Sequence, residues 1–278
     1  MDERRLAGRV TRAFLGIRID CAECHDHPFA DWKQQDFHGL AAFFGGAENP
    51  LTGIHDEPID YELEHHQTGE LESIDPHVPF QTELIGDEDD PRWQLANWIT
   101  HRENRAFARV TVNRVWALLT GRALVEPIDN IDPADVPPVL DLLADDFVAS
   151  DFDLRHLIRA IAATEVFQLE SRGEDDHAAP VTADEQLDDA VDVAEQRAIE
   201  LWARFPLTRL RSEQVVGSVL QSASLKTIDH ESHIIVRIAR TIGQNEFVER
   251  YGDAGEAELD PQTGTIPQRL LLMNGKLV

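Results

Sequence analysis

The chain lacks many of the features by which protein classes are recognised from sequence. It has only two cysteines in 278 residues, so a framework of several disulfides is excluded. No apolar run approaches the roughly 18 residues that a membrane-spanning helix requires, which predicts no membrane span. The nucleophile elbow of hydrolases, the phosphate-binding loop, the dinucleotide-binding glycine pattern and the paired-histidine zinc motif are all missing. None of these motifs therefore names an enzyme class.

Positive charge is also in short supply. The formal net charge is −27 at pH 7. Because an acidic surface repels phosphate groups, we expect neither nucleic acid nor an anionic membrane surface as a partner. The first residues, Met1–Arg5, include no apolar signal-peptide core. Taken literally, that start predicts a cytoplasmic protein.

Both cysteines lie in one pentapeptide, Cys21-Ala22-Glu23-Cys24-His25. The pattern C-x-x-C-H is typical of covalent c-type haem attachment. Each thiol can add to one vinyl group of the porphyrin, and the adjacent histidine can be the proximal ligand of the iron. The motif therefore predicts haem c on Cys21, Cys24 and His25, with His25 bound to the haem iron.

Two other chemistries use the same atoms. A structural zinc ion could be held by Cys21, Cys24, His27 and either His38 or Asp26, because a C-x-x-C knuckle is the usual half of a tetrahedral site. No second C-x-x-C pair supplies the remaining ligands. A thioredoxin-like dithiol is the third interpretation, and it lacks the βαβ pattern that accompanies such motifs.

The haem interpretation does not identify a sixth iron ligand. Met273 is the only internal methionine and is expected to fill a gap in the core. His38 is nearer to the motif, on a predicted helix, where a histidine is expected to be exposed or to reach the iron. The histidines between residues 47 and 90 are expected to be solvated.

Hydrophobic periodicity predicts a mainly α protein with irregular multi-helix domains and long acidic loops. Residues 4–15 read as a helix that stops at Gly16, and Asp31 reads as the N-cap of a second helix that ends at Gly45-Gly46. The cysteine motif should lie in the tight connection between these two helices.

The rest of the chain alternates between acidic and helical segments. Asp90 with Pro91, Asn104, Pro137 with Pro138, and Asp153 are the predicted starts of four helices. Short extended pieces are predicted around residues 59–63 and 78–85. The predicted divisions are a C-terminal fragment of a CxxCH-bearing helical domain (1–46), an acidic, His-rich linker (47–90), the helical core of a partner domain (91–169), an acidic, poorly packed segment (170–200) and the C-terminal helical part of the partner domain (201–278).

Three polar residues recur every four positions and so share one helix face: Arg105, Arg109 and Asn113. Guanidinium groups beside an amide could clamp a carboxylate, a sulfate or a haem propionate. They could equally brace the fold internally against carboxylates such as Asp145. Both interpretations remain open from sequence.

Several blocks resemble a large uncharacterised family of planctomycete proteins that are linked to cytochrome c domains. The first group is Phe14–Ile17, Cys21–Trp32 and Phe43–Phe44, and the second, Leu95–Thr100 and the stretch from Asn104 to Trp116, looks like the usual C-terminal partner domain of that family. The resemblance implies an exported, periplasmic or secreted protein with a cytochrome-type module upstream. It implies haem binding only at Cys21, Cys24 and His25, and it supplies no reaction. We expect this chain to be a gene fragment or a split gene product, which would explain the missing leader.

Three hypotheses follow from sequence. The first is a haem-bearing electron-transfer protein of an extracytoplasmic compartment, whose partner is another redox protein or the upstream cytochrome domain. The second is a non-redox binding or scaffold protein with a structural zinc site. The third is a module of an enzyme that processes an extracellular polymer.

Overall fold

Helices form most of the backbone in the computed structural model, so the mainly α class predicted from sequence is confirmed. The structure describes residues 2–48, 55–56, 60–64, 69–171, 196–206, 210, 212–223, 232–234, 241, 248 and 270. The chain forms two compact units. The first consists of Met1–Leu119 and Ala123–Gln168, and the second of Thr120–Arg122 and Leu169–Val278. Within the described residues, no helix is both long enough and apolar enough to cross a bilayer.

The first helix, α1, covers Glu3–Val10 and begins at Asp2, whose carboxylate accepts the N–H of Arg5 at 3.1 Å. The chain continues through a wider helical turn, Thr11–Leu15, and stops at Gly16 in the left-handed conformation, with φ of 63°. A side chain is disfavoured at that φ, which is why glycine ends the helix there. The predicted helix over residues 4–15 is confirmed.

The second helix, α2, covers Gln34–Ala42, and the prediction that Asp31 caps it is wrong. Two other carboxylates take the first N–H groups. Asp26 accepts the N–H of Gln34 at 2.9 Å, and Asp36 accepts the N–H of the residue before the helix at 2.7 Å. A carboxylate eight residues upstream can act as the cap because the loop folds back over the helix start.

The segment between α2 and the next helix contains two short antiparallel ladders. Their strands are β1 (Ala47–Glu48) with β2 (His55–Asp56), and β3 (Glu62–Glu64) with β4 (Leu71–Ser73). The predicted extended piece around residues 59–63 overlaps β3, although residue 59 is outside the described residues. The piece predicted over 78–85 contains instead a short 3₁₀ turn, Thr82–Leu84.

Four helices follow in the first unit: α3 (Pro91–Ile99), α4 (Arg105–Thr120, its last residue assigned to the second unit), α5 (Pro138–Ala149) and α6 (Leu154–Ala162). The Asp90 carboxylate caps α3 at 2.8 Å from the N–H of Arg92, and the Asp153 carboxylate caps α6 at 2.8 Å from the N–H of Arg155. These predicted helix starts are confirmed. Asn104 precedes α4, but its amide donates to the Trp98 carbonyl at 3.0 Å and so closes the end of α3.

One large apolar residue on each of α4 and α6 is exposed. Leu118 in α4 is 42% exposed and Ile158 in α6 is 43% exposed. In α4 the buried positions include Asn113 and Ala117, whereas α6 buries Leu157 and Ile161. The buried face of each helix therefore includes only part of its apolar residues.

One core joins the segments from α1 to α3. Its buried members include Leu15, Ile19, Ala22, Phe37, Leu40, Phe43, Tyr61, Val78, Leu95 and Trp98. Residues 46 and 90 are the predicted domain borders. Side chains from before and after each of these two positions contribute to this core. The core matters for the cysteine motif because Ala22, inside the motif, is one of its members.

The second unit is described over a smaller share of its length. Residues 196–200 are helical, and a further helix covers Ser212–Ala223. The Arg122 guanidinium lies 4.3 Å from the centre of the Trp202 ring and donates to the Glu200 carbonyl at 2.8 Å. Residues 172–195, most of the predicted acidic segment, and Met273 are outside the described residues.

Candidate functional site

The cysteine motif forms a 3₁₀ turn, Asp20–Glu23, which follows Ile19 and ends at Cys24. A 3₁₀ helix has three residues per turn, so side chains three positions apart lie on the same face. Ile19 and Ala22 form the core face, since both are fully buried and the Ala22 N–H donates to the Ile19 carbonyl at 2.8 Å. Cys21 and Cys24 lie on a second face, which is exposed, and both are free thiols. The turn therefore presents both sulfur atoms to solvent.

The third face of the turn lies against α1. Asp20 pairs with Arg12 at 3.6 Å, and Glu23 pairs with Arg4 at 3.7 Å. Gly8 lies between these two arginines, one helical turn from each, and a Cβ atom there would collide with the Asp20 carboxylate. Because the paired side chains are partly exposed, each ion pair is worth at most about 1 kcal/mol.

A series of hydrogen-bonded side chains, centred on a buried histidine, binds the backbone of the turn. His38 of α2 is fully buried, and its Nε2 lies 3.0 Å from the Glu23 carbonyl oxygen. The Gln34 side chain donates to the same oxygen at 3.2 Å. His38 Nδ1 lies 2.8 Å from the Tyr61 hydroxyl, which in turn accepts from Arg4 Nε at 3.3 Å.

The direction of these hydrogen bonds is set by their chemistry. A carbonyl only accepts, so His38 Nε2 carries the proton. In the neutral ring, Nδ1 is then the acceptor for the Tyr61 O–H. Burial is the main cause that lowers the pKa of His38, and the charge of Arg4 lowers it further, while the bond to the Glu23 carbonyl opposes both. Burial likewise raises the pKa of Tyr61. Both groups are therefore held neutral.

His25, the histidine of the motif, is exposed, and its Nδ1 lies 2.7 Å from the Asp26 carbonyl oxygen. Nδ1 must donate in this bond, which makes Nε2 the nitrogen that carries the lone pair. Metal-binding histidines commonly have this arrangement, with one ring N–H bound to a carbonyl and the other nitrogen facing the metal. His27 has the opposite form, because its Nδ1 accepts the N–H of Phe29 at 3.2 Å.

The residues of the predicted zinc site are not gathered into one cluster. Among the residues that the structure describes, no group of three or more histidine, cysteine, aspartate or glutamate side chains is arranged to hold a metal ion. His38 uses both ring nitrogens in hydrogen bonds. The expectation that His38 is exposed is therefore wrong, because most residues of α2 are buried, and its role as an iron ligand stays a prediction. Cys21, Cys24 and His25 are all exposed and belong to the same short segment of the chain.

The predicted arginine face braces two helices. Arg105 of α4 pairs with Asp145 of α5 at 2.7 Å and with Asp141 at 3.3 Å, and Arg109 donates to Asp141 at 2.7 Å. The bond to Arg109 is the main reason why the pKa of Asp141 is lowered. Of the two interpretations open from sequence, these contacts correspond to the internal brace.

The third member of that face has a separate task. Asn113 is fully buried, donates to the Val125 carbonyl at 2.8 Å and accepts the N–H groups of Leu124 and Val125 at 2.9 and 3.0 Å. It thereby fixes the backbone that follows α4. The three residues share a face of α4, as predicted, but they do not converge on one site.

Sequence reasoning missed Arg4, Gln34 and Tyr61 as parts of the site. Tyr61 is 23 residues from its partner His38, and Arg4 is 57 residues from Tyr61. No local spacing rule connects residues so far apart. The one available signal was Gln34, which is four residues before His38 and so shares its helix face.

Residues 91–234, just over half of the chain, match the family described as Protein of unknown function (DUF1553), named PSD1. Residues 2–49, which include the whole cysteine turn, match the family described as Protein of unknown function (DUF1549), named PSCyt2. No curated protein and no solved structure matches the chain.

Proposed function

The chain belongs to the DUF1553 family, and we propose that it is a c-type haem-binding redox protein of an extracytoplasmic compartment. Cys21 and Cys24 would form the thioethers and His25 would be the proximal iron ligand. The observation that carries this proposal is the shared exposed face of the two thiols beside a histidine whose Nε2 lone pair is available.

The donor set fits the attachment chemistry. In each thioether bond the sulfur joins one vinyl carbon and the thiol hydrogen passes to the other, so no oxidant or reductant is consumed. Both thiols are accessible to a porphyrin because they lie on the solvent face of the turn. When bound, haem supplies one-electron transfer, and its potential depends on the axial ligands and on burial.

The orientation of His25 supports the same role. The bond from Nδ1 to the Asp26 carbonyl fixes the orientation and the tautomer of the ring. Asp26 is itself held, since its carboxylate accepts the N–H of Gln34 at the start of α2. The chain thus orients the proposed ligand through its own backbone.

The structural zinc site receives less support. It requires ligands beyond the two thiols, and the side chains named for that purpose are engaged elsewhere. His27 accepts a backbone N–H through Nδ1, His38 uses both ring nitrogens, and the Asp26 carboxylate accepts the N–H of Gln34. A scaffold role with zinc and a polymer-processing role both stay predictions, and no contact in the described residues favours either.

The decisive experiment is to export the full chain in a host that has c-type haem maturation proteins. We expect haem that remains bound after acid-acetone extraction and a pyridine haemochrome spectrum typical of two thioethers. The double variant Cys21→Ala/Cys24→Ala should lose the covalent haem completely. A colourless protein that holds one equivalent of zinc would overturn the proposal.

His25→Gln and His27→Gln form a matched pair for the iron ligand. We expect His25→Gln to change the Soret band and the midpoint potential of the attached haem, because the proximal nitrogen is lost. His27→Gln, two residues away, should leave both unchanged. Equal spectra for the two variants would remove His25 from the proposed ligand set.

A further inference from the structure

The cysteine turn has few stabilising contacts of its own. It is a single 3₁₀ turn of four residues, and short 3₁₀ segments have weaker hydrogen-bond geometry than an α-helix. Its ion pairs to α1 are long and partly exposed, so they contribute little. The position of the backbone between the two cysteines therefore depends on other contacts.

The start of α2 supplies those contacts on both sides of Cys24. Gln34 and His38, one helical turn apart, both donate to the carbonyl of Glu23, the residue before Cys24. The N–H of Gln34 binds the carboxylate of Asp26, two residues after Cys24. A short loop that contains Cys24 and His25 is thus tied to one helix at each end.

The bond from His38 differs from the other ties because its donor ring is fully buried. Removing a partner from a buried hydrogen bond leaves the other group unsatisfied, and that costs more than the loss of an exposed pair. The Tyr61 O–H occupies Nδ1 at 2.8 Å, so the N–H of the neutral ring stays on Nε2, where it meets the Glu23 carbonyl. Arg4 completes the series by donating to the Tyr61 oxygen.

From this geometry we propose that His38 is a positioning residue for the haem-attachment loop. Through the Glu23 carbonyl it keeps Cys21 and Cys24 on one face, and Tyr61 fixes its tautomer for that task. The inference rests on the proposed function for its purpose, but the positioning of the thiols can be measured without haem.

The test uses the full chain and dibromobimane, which becomes bridged when each of two neighbouring thiols displaces one bromide. We expect wild type to form the bridge between Cys21 and Cys24 readily. His38→Leu fills the space without either hydrogen bond, and the bridging rate should fall about fivefold, the effect of one net hydrogen bond. His38→Gln can donate to Glu23 and accept from Tyr61, so it should restore most of the rate. Monobromobimane, which needs only one thiol, should react alike with all three proteins.

Equal bridging rates in wild type and His38→Leu would overturn the proposal, and so would a failure of His38→Gln to restore the rate. If His38→Leu does not fold, Tyr61→Phe decides the question, because it keeps the imidazole and removes the hydroxyl that fixes its tautomer and accepts from Arg4. A slower rate in Tyr61→Phe supports the proposal, and an unchanged rate overturns it.

The two proposals can fail separately. If wild type forms the bimane bridge but takes up no haem in a maturation-competent host, the haem function is wrong while the positioning role stands. If His38→Leu acquires haem with two thioethers as completely as wild type and also bridges at the same rate, the positioning role is wrong and the haem function stands.

Discussion

The cysteine turn and the helix α2 beneath it each carry a histidine whose ring N–H binds a backbone carbonyl. His25 on the turn binds the Asp26 carbonyl through Nδ1, and His38 on the helix binds the Glu23 carbonyl through Nε2. His25 is exposed and keeps a lone pair on its other nitrogen. His38 is fully buried, and its other nitrogen accepts from Tyr61.

This difference separates a residue that can bind a ligand from one that holds the backbone. A ligand must offer a lone pair at an accessible surface, whereas a holding group gains strength from burial and from having every polar atom paired. The two histidines are 13 positions apart in sequence and have the same chemistry in isolation. Their surroundings assign them different tasks.

Replacing His38 or His25 by alanine should give the largest difference in stability between the two positions. His38→Ala leaves a cavity, removes the acceptor of the Tyr61 O–H and leaves the Glu23 carbonyl bound by Gln34 alone, so we expect the free energy of unfolding to fall by about 3 kcal/mol. His25→Ala removes an exposed ring and should stay within about 0.5 kcal/mol of wild type. Urea unfolding of the protein without haem measures both. Similar losses for the two variants would contradict the assignment of His38 as the holding residue.

The next largest effect is expected in the pH dependence of stability, which should reflect the buried imidazole of His38. Because the pKa of His38 is lowered below 6.5 in the folded protein, the unfolded chain takes up a proton there first as the pH falls. The free energy of unfolding should therefore be highest at and above neutral pH and should decrease from about pH 6.5 down to the lowered pKa of the folded state. Urea midpoints across this range, in wild type and in His38→Gln, are the measurement. A slope that persists unchanged in His38→Gln would show that another group causes it.

A smaller loss of stability is expected where ion pairs, and not buried contacts, join α4 to α5. Asp141→Asn removes the acceptor that Arg109 and Arg105 share, and since Asp141 is partly exposed we expect a loss of about 1 kcal/mol that shrinks as salt is added. Asp145→Asn, which leaves the Arg109 pair intact, is the matched control and should lose less. A salt-independent loss in Asp141→Asn would mean that packing, not charge, joins α4 to α5.

The smallest effect is expected from Glu23→Gln. The side chain pairs with Arg4 at 3.7 Å and is partly exposed, so its loss should cost less than about 0.5 kcal/mol. The backbone carbonyl that receives His38 and Gln34 is retained. Bimane bridging of Cys21 and Cys24 should therefore match wild type, and a large decrease would show that the side chain, not the carbonyl, positions the turn.

Local rules predicted the parts of the fold that depend on neighbouring residues. Gly16 ends the wider helical turn that continues α1, because its φ excludes most side chains, and Asp90 and Asp153 cap α3 and α6 through their own carboxylates. The rules failed at Asp31, where a carboxylate folded back from Asp26 takes the capping role. The correct predictions depend on contacts between residues at most three positions apart. The wrong one depends on a contact between residues eight positions apart.

The prediction that His38 is exposed is wrong for a related reason. On an amphipathic helix with a single apolar stripe, a histidine is expected on the exposed face. In the structure every residue from Phe37 to Phe44 is buried, so α2 has no exposed face over that stretch. A buried histidine then requires partners, and those partners come from the cysteine turn and from Tyr61.

The sequence by itself determined that Cys21, Cys24 and His25 lie together, because five consecutive residues have no room to separate. It also determined the helical class, through periodicity and caps that act over a few residues. The tertiary structure alone decided which histidine is exposed, which ring nitrogen keeps a lone pair, and what holds the turn. Those outcomes depend on hydrogen bonds between residues 15 and 23 positions apart, and on burial that only the packed core creates. Local spacing places the reactive atoms, and long-range packing sets their orientation.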